Sequence, residues 1–342
     1  MKSPSPSPLE VSWRTIGKIL IAFALVWLWL QLWPFVMVII LAIIMAVALD
    51  PLVRGMEDRG VPRWAGAAGS VLMLAAIAAG VIAVSWVSVT EQSRVVVQNL
   101  TSVVQQIRTA VPVIERLMPT TAEGGSGLLQ YALAFGRSAA RAAGMFMVAL
   151  VLTVYLLIEW KVTVEWLIAF VPAAQRPKAR RTLSEARATV FNYVLGNAIT
   201  SVITAIATFV VLALLKVPAA LVLAIIAGLF DFIPIVGFLL SLGVTAILAA
   251  TVSTSALVGV VAFYVVFNAI ENYLIVPKVY GHELQLSKLA VLIAVAVGGQ
   301  LGGVMGALLA LPLAALYPTI ERLWLRQQLS TDTVELHERL SA

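Results

Sequence analysis

A carboxylate lies within a long apolar stretch of this 342-residue chain. Asp231 occurs in IIAGLFDFIPIVGFLLSLG, residues 225–243, and is followed by the helix-breaking residues Pro234 and Gly237. A charged side chain near the centre of a bilayer costs about 3 kcal/mol, so such residues usually face a cavity or a partner. The stretch therefore predicts a broken helix beside a polar site. There Asp231 either binds protons or cations or caps the backbone of the tip.

Glu271 is a second carboxylate within an apolar segment, the predicted span 256–277. It shares one helical face with three other polar residues, because their spacings match successive helical turns. The members of this face are Tyr264, Asn268, Glu271 and Asn272. We expect Glu271 to bind or exchange protons or cations, with Lys278, seven residues later, as its counter-charge.

Uncharged polar residues form a third group. A stripe on the predicted span 191–215 consists of Asn197, Thr200, Ser201, Thr204 and Thr208. Either this stripe lines the same polar pathway, with Asn197 as a member, or its side chains form hydrogen bonds that hold neighbouring helices together. Gln300, inside VGGQLGGVMG, is the polar residue of another apolar segment and joins the candidate pathway.

The apolar segments lack the residues that most enzymes need. The chain has no cysteine, and its two histidines, His282 and His337, fall in a loop and in the C-terminal tail. A zinc site or a Ser/His nucleophile inside the membrane therefore lacks its parts. Asp50 precedes Pro51 at the end of a span and is interpreted as a boundary cap. The sequence predicts no catalytic residue, no metal site and no cofactor.

The composition is that of a membrane protein. Hydrophobic residues make up 61% and charged residues 12% of the chain, and the mean hydropathy is +1.00. A soluble domain carries about twice that charged fraction, and several apolar runs exceed the roughly 18 residues that mark a membrane span. The net charge of +6 fits basic loops at a lipid bilayer better than a nucleic-acid partner. We predict an all-α polytopic fold.

About six full spans are predicted between a disordered tail at 1–14 and a C-terminal tail at 321–342. They are 15–33, 35–49, 65–88, 142–160, 191–215 and 256–277, of which the first three occupy 15–89. Lysine and arginine are concentrated in the N-terminal tail, in the loops after the second and fourth spans, and in the C-terminal tail. The positive-inside rule therefore predicts that both termini are cytoplasmic.

The segment 90–140 is then extracytoplasmic. Apolar residues recur there at spacings of four and three, which make one stripe of a helix. They are Val96, Leu100, Val103, Ile107, Ala110, Ile114 and Leu117. This helical arm either contacts a neighbouring subunit in a homo-oligomer, or folds back on residues 128–140 or on its own membrane domain. Pro112 argues against a long rigid coiled coil.

Two apolar blocks in the core at 141–320 are interrupted, one at 218–250 and one at 289–320. The first divides into arms of about 15 residues, or about 22 Å each, which are shorter than a bilayer core of about 30 Å. The second contains five glycines around Gln300. Each block is either a re-entrant hairpin, as in many transporters, or one long kinked span packed through small residues. We favour hairpins.

Four sequence blocks together resemble the autoinducer-2 exporter family, also called the PerM-like permeases. They are YVLGN (193–197), FDFIPIVG (230–237), ENYLIVPKVYG (271–281) and GGQLGGVMGALLALPLAA (298–315). The resemblance extends from LDPLV after the second span to the last apolar block. Two departures affect the expected hinge geometry. Phe238 stands where the family commonly has proline, and Ser287 and Lys288 stand where a His-Pro pair is common.

The resemblance implies a multispanning permease of the bacterial inner membrane. Members of this family are linked to export of the signal autoinducer-2, and others to sodium/proton antiport. We therefore expect a transporter that exports a small polar solute, coupled to protons or sodium, through the 231–237 tip and the 268–272 face. The alternatives are a sodium/proton antiporter and a non-transporting scaffold that acts through the 90–140 arm.

Labelling of a single cysteine tests the hairpin prediction, because the chain has no cysteine of its own to remove. If both interrupted blocks are hairpins, the loop that contains Gly281 is cytoplasmic. A membrane-impermeant thiol reagent should then modify Gly281→Cys from the cytoplasmic side alone. Modification from the outside alone would exclude the hairpin topology.

Overall fold

The computed structural model describes residues 13–84, 126–233, 236–280 and 287–325, and every regular element among them is helical. The α-helices are α1 (Trp13–Glu57), α2 (Arg63–Val84), α3 (Ser126–Ala169), α4 (Arg176–Leu214), α5 (Ala220–Asp231), α6 (Val236–Val252), α7 (Thr254–Ile270), α8 (Val276–Tyr280), α9 (Lys288–Ala314) and α10 (Tyr317–Ile320). Two π-helical turns, Glu271–Ile275 and Glu321–Leu325, follow α7 and α10. The all-α prediction is confirmed.

Within the residues that the structure describes, six helical stretches are long and apolar enough to cross a membrane. They are Trp13–Glu57, Arg63–Val84, Ala140–Ala169, Ala173–Leu214, Thr254–Val279 and Leu289–Leu325. Large apolar side chains are exposed along them, among them Leu28 on α1, Leu72 on α2 and Val202 on α4. Side chains of this kind are stable on the outside of a bundle only when lipid surrounds it. The chain is a multi-pass membrane protein in contact with the bilayer.

The two spans predicted at 15–33 and 35–49 are one continuous helix, α1, so the predicted boundary between them is wrong. Pro34 lies inside α1, because within a membrane a proline removes one helical hydrogen bond without having to end the helix. The 45 residues of α1 extend about 68 Å, roughly twice the bilayer core. A continuous helix crosses in one direction, so α1 does not supply the two crossings on which the cytoplasmic N-terminus was predicted.

The block 218–250 folds into an antiparallel helical hairpin. Its arms, α5 and α6, separate at Phe232 and pack against each other. At the open end, Leu223 of α5 lies in one buried cluster with Leu248 and Ala249 of α6. At 12 residues, α5 is about 18 Å long, too short to cross a bilayer core.

The block 289–320 also turns back on itself, within α9. Gly303 has φ 60° and ψ −143°, a conformation that interrupts the helix. Gly298 and Gly306 would be about 12 Å apart along a straight helix, yet a Cβ built on Gly298 would lie 2.4 Å from the Gly306 carbonyl oxygen. The glycines predicted to allow either a break or a close helix contact therefore provide both.

Both hairpins pack on α4, and the tip of the first lies against the arms of the second. Ile233, at the tip of the first hairpin, packs against Val295 and Leu311 of the second. The Trp33 indole of α1 donates a hydrogen bond of 2.6 Å to the Leu301 carbonyl, next to the tip of the second. The hairpins, α4 and α7 therefore converge around the end of α5, where Asp231 lies.

Three predicted segments lie largely outside the described residues. They are the N-terminal tail, the C-terminal tail and the 90–140 arm, of which the structure describes only 126–140 as the first turns of α3. The homo-oligomer contact predicted for the arm stays a prediction.

Replacing Gly306 by alanine tests the second hairpin. The new Cβ would lie 2.0 Å from the Gly298 carbonyl oxygen, so the backbones must separate, and we expect a loss of about 1–3 kcal/mol of stability. The measurement is the thermal unfolding midpoint of the purified protein in detergent. Gly243→Ala is the control, because nothing lies within 4 Å of a Cβ at that helical position. Equal midpoints for the two variants would contradict the close contact.

Candidate functional site

The carboxyl groups of Asp231 and Glu271 lie together, close enough to share a proton. Asp231 ends α5 at the tip of the first hairpin, and Glu271 directly follows α7. Both residues are half-buried. The structure thus brings into contact the two residues that the sequence predicts to exchange protons or cations. We call them the carboxyl pair.

Hydroxyl groups of α4 surround Asp231. The Ser201 hydroxyl donates a hydrogen bond of 3.3 Å to Asp231 Oδ2. Thr200 and Thr204 also face this carboxyl, although the Thr204 hydroxyl completes no hydrogen bond with any described residue. The polar stripe of α4 therefore lines the site.

Two glycines allow the backbones to approach closely enough for this arrangement. A Cβ on Gly228 would lie 2.8 Å from the Ser201 carbonyl oxygen, so α5 packs directly on the backbone of α4. A Cβ on Gly237 would overlap the Phe230 carbonyl oxygen, and the Gly237 amide donates a 2.7 Å hydrogen bond to the Ile233 carbonyl. Gly237 thus has a structural reason to be glycine at the tip. Pro234 lies outside the described residues.

The prediction that Lys278 pairs with Glu271 is wrong. Lys278 is exposed, and no ion pair joins it to Glu271 within the part of the chain that the structure describes. The prediction assumed a regular α-helix, in which residues seven apart share a face. The π-helical turn Glu271–Ile275 changes the number of residues per turn, so it rotates Lys278 away from Glu271.

The uncharged members of the predicted site differ in their burial and in how close they lie to the carboxyl pair. Asn197 is buried on α4, one turn before Ser201, and its carbonyl accepts a hydrogen bond from Thr200. Asn268 is half-buried, whereas Asn272 is exposed and its side-chain amide donates to the Asn268 carbonyl at 2.8 Å. Gln300 is exposed near the tip of the second hairpin. Asn197 and Asn268 therefore lie within a turn of residues that contact the carboxyl pair, while Asn272 and Gln300 face outward.

The carboxyl pair is not neutralised by a basic side chain in the described ranges. Two carboxylates in hydrogen-bond contact repel each other unless a proton or a cation lies between them. The pair is therefore suited to bind one proton or one small cation and to release it when the surroundings change.

A second polar cluster surrounds Asp50, which the sequence reasoning interpreted only as a boundary cap. Asp50 is 3% exposed and pairs with three arginines. Arg54 contacts it at 2.6 Å, Arg63 at 3.0 Å, and Arg187 also pairs with it. Arg63 in addition donates to the Leu157 carbonyl of α3. These contacts join α1, α2, α3 and α4, so Asp50 is a buried hub and not a cap.

The three arginines of this hub are visible in the sequence, but there their positive charge predicts membrane orientation and not a shared ion pair. Arg54, Arg63 and Arg187 belong to the basic segments after the second and fourth predicted spans, whose charge predicts the orientation in the membrane. They do lie at one end of the bundle, together with the Arg322–Glu185 ion pair near the C-terminus. A narrow pocket also lies there, lined by Asp50, Trp160 and Arg187 among others.

The family comparison covers most of the chain. A model of the AI-2E family transporters matches residues 18–326. The chain belongs to the AI-2E transporter family. This confirms the resemblance drawn from the four sequence blocks, and it extends the matched region over most of α1.

Several relatives of this AI-2E family member have been given transport names. YhhT of Escherichia coli strain K12, a candidate transport protein, is 27% identical over 290 residues, which are 81% of each chain. MT0215 of Mycobacterium tuberculosis, also a candidate transport protein, is 32% identical over 43% of this chain and 40% of its own length. A sodium-lithium/proton antiporter of Halobacillus andaensis is 31% identical over 35% of this chain and 34% of its own. The last two matches span less than half of each relative.

The two departures from the AI-2E family pattern have structural roles. Phe238, in place of proline, packs edge-on against Tyr264 with ring centroids 6.2 Å apart. Ser287, in place of histidine, caps α9, because its hydroxyl accepts a 3.1 Å hydrogen bond from the Ala290 amide. This interaction stabilises the start of a helix.

Replacing Asp50 by asparagine tests the hub. Three arginines would then lack their shared carboxylate, and breaking a buried ion pair costs about 3 kcal/mol. We expect the thermal unfolding midpoint in detergent to fall sharply. Glu57→Gln is the control, because Glu57 pairs with Arg63 at 2.9 Å but is exposed, where loss of an ion pair costs about 0–1 kcal/mol. Similar midpoints in both variants would show that Asp50 is not a hub.

Proposed function

We propose that this AI-2E family member is a transporter that moves a small polar solute across the membrane, coupled to protons or sodium at the carboxyl pair. The observation that carries the proposal is the contact between Asp231 and Glu271, half-buried and without a basic partner among the described residues. Export of the signal autoinducer-2 is the activity that the family name suggests.

The position of the carboxyl pair supports coupling. Asp231 ends one arm of a hairpin, while Glu271 is held by α7 and the π-helical turn after it. A displacement of the hairpin relative to α7 would separate the two carboxyls, and the energy of holding one proton or cation between them depends strongly on their separation. Binding at the pair therefore favours one arrangement of these elements over another, as coupled transport requires.

The two hairpins also support transport. Broken helices that meet near the middle of a bundle are a recurring design for substrate and ion sites in transporters. Here Ile233 of the first hairpin contacts Val295 of the second, directly beside the carboxyl pair. We propose a location in the bacterial inner membrane, with the arginine-rich end of the bundle in the cytoplasm.

Sodium/proton antiport is the second candidate, and a specific observation favours it. A relative from Halobacillus andaensis is named a sodium-lithium/proton antiporter. The carboxyl and hydroxyl oxygens of this site are hard ligands, which suit an alkali cation as well as a proton. In this alternative the protein transports the exchanged ions alone, without an organic solute.

A non-transporting scaffold remains the third alternative, acting through the 90–140 arm and a contact with a second copy of the chain. It predicts that substitutions in the carboxyl pair leave the function intact, whereas charges placed on the Val96–Leu117 stripe abolish it.

Flux through proteoliposomes tests these alternatives. Purified protein is reconstituted with a pH-sensitive dye inside, and proton, sodium or lithium gradients are imposed with and without autoinducer-2. We expect Glu271→Gln and Asp231→Asn each to lower the coupled flux about a hundredfold, because each removes a positioned proton- or cation-binding group.

Matched controls separate loss of the site from loss of a charge. Glu165→Gln removes an exposed carboxylate that pairs with Arg180, and Asp58→Asn removes one in an exposed turn. Both should transport like the wild type. Flux that requires autoinducer-2 supports the exporter, and flux with ions alone supports the antiporter. Wild-type flux in both carboxyl-pair variants would refute the proposed function.

A further inference from the structure

Four buried hydroxyl groups near the carboxyl pair form no hydrogen bond with any residue that the structure describes. They belong to Thr204 and Thr208 of α4, Ser241 of α6 and Tyr264 of α7. Thr208 is fully buried and Tyr264 is 3% exposed. Buried polar groups are almost always satisfied, by protein or by ordered water. Four such hydroxyls in one region therefore indicate hydrogen-bond partners that the described side chains do not supply.

These hydroxyls form one continuous seam. Thr204 and Thr208 are one turn apart on α4, and Ser241 is one turn before Thr245 on α6. The Tyr264 hydroxyl lies beside the hydroxyls of Thr208 and Thr245, so it joins the two helices. We call this set, Thr204, Thr208, Ser241, Thr245 and Tyr264, the hydroxyl seam.

The two ends of the hydroxyl seam differ. At one end, Thr204 faces Asp231, and Asp231 contacts Glu271. At the other end the seam stops at a buried apolar cluster in which Leu212, Leu248 and Val260 pack together. Each of these three residues lies one helical turn beyond a member of the seam. The seam thus leads from the carboxyl pair to an apolar barrier.

The spacing of the seam matches bridging water. Side chains one turn apart on a helix are about 6 Å apart, which is too far for a direct hydrogen bond but close to the sum of two O–H···O bonds of about 2.8 Å. One water could bridge Thr204 and Thr208, and another could bridge Ser241 and Thr245, whereas the Tyr264 hydroxyl lies directly beside those of Thr208 and Thr245. A site that offers several polar partners of this kind is where buried water is found.

The chemistry of the seam selects protons over other cargo. Asp231, which also contacts Glu271, is the charged group that faces the end of the seam within the described ranges. A hydroxyl both donates and accepts a hydrogen bond. A row of hydroxyls and waters can therefore pass a proton along, each oxygen accepting one proton and releasing another, so that no group in the row changes its charge.

We propose that the hydroxyl seam is a proton path that holds a file of water molecules and connects the carboxyl pair with Tyr264. This proposal rests on the proposed function, because the path would supply protons to the carboxyl pair, at which transport is coupled. The apolar cluster of Leu212, Leu248 and Val260 closes the path in this structure. Tyr264 is its terminal member.

Radiolytic labelling tests for the water independently of transport. Hydroxyl radicals formed from bound water oxidise the side chains beside it, and ¹⁸O-labelled water marks the product. We expect Tyr264 to be labelled although it is buried. Tyr193 is the control, because it is also buried but lies outside the hydroxyl seam. If Tyr264 is labelled no more than Tyr193, the proposal is refuted.

Proton flux in proteoliposomes tests the path itself. Tyr264→Phe and Thr208→Val each remove a hydroxyl and keep most of the shape, and we expect each to slow proton movement about tenfold or more while the KM for sodium stays unchanged. The rate in the wild type should also fall in heavy water. Thr251→Val is the control, because Thr251 is on α6 outside the seam and its hydroxyl donates to the Leu248 carbonyl.

The outcomes distinguish this proposal from the proposed function. If Glu271→Gln stops the flux but Tyr264→Phe and Thr208→Val move protons at the wild-type rate, the seam is not the path and the carboxyl pair is unaffected. If Glu271→Gln and Asp231→Asn transport normally, the proposed function fails first. A wild-type protein that moves no protons in any gradient overturns both. A change in unfolding midpoint without a change in proton rate indicates a structural role and also overturns the proton path.

Discussion

The buried charge of Asp50 is the constraint on which the rest of the bundle depends. A carboxylate that is 3% exposed is tolerable only when cations surround it, and the three that do so come from the end of α1, the start of α2 and the middle of α4. Their positions fix how these helices meet, and Arg63 adds α3 through the Leu157 carbonyl. One end of the bundle is thereby tied together by charge.

The other part of the molecule is held by different forces. The first hairpin and α7 pack on α4 through small residues, apolar side chains and hydroxyls, with Gly228 against Ser201 as the closest approach. Contacts of this kind include no ion network that fixes the register of the helices, so one surface can slide against the other, as in shear motions. The carboxyl pair, for which we propose binding of a proton or cation, lies at this second interface. The helix α4 belongs to both parts and connects them.

Much of the candidate site could be predicted from sequence because lipid penalises polar groups so strongly. A carboxyl group in an apolar segment needs a polar partner or water, and in the structure Asp231 and Glu271 contact each other. Lys278 was assigned wrongly, since a π-helical turn is not visible in residue types and it shifts every later residue around the helix. The ion pairs of Asp50 could not be predicted from the sequence, for a related reason. Its three arginines are distant in the chain or already explained by loop charge, and only packing shows that they share one carboxylate.

The sequence by itself determined the class of the protein, the interruptions at Pro234–Gly237 and at the glycines around Gln300, and the family. Hydropathy, helix breakers and local motifs are properties of neighbouring residues, so they can be read without a fold. The sequence did not determine that α1 is continuous through Pro34 or that Asp231 and Glu271 lie together. It also did not determine that four buried hydroxyls lack a hydrogen-bond partner among the described residues. Those facts depend on which helix faces come together, and that is decided by the simultaneous packing of elements far apart in the chain.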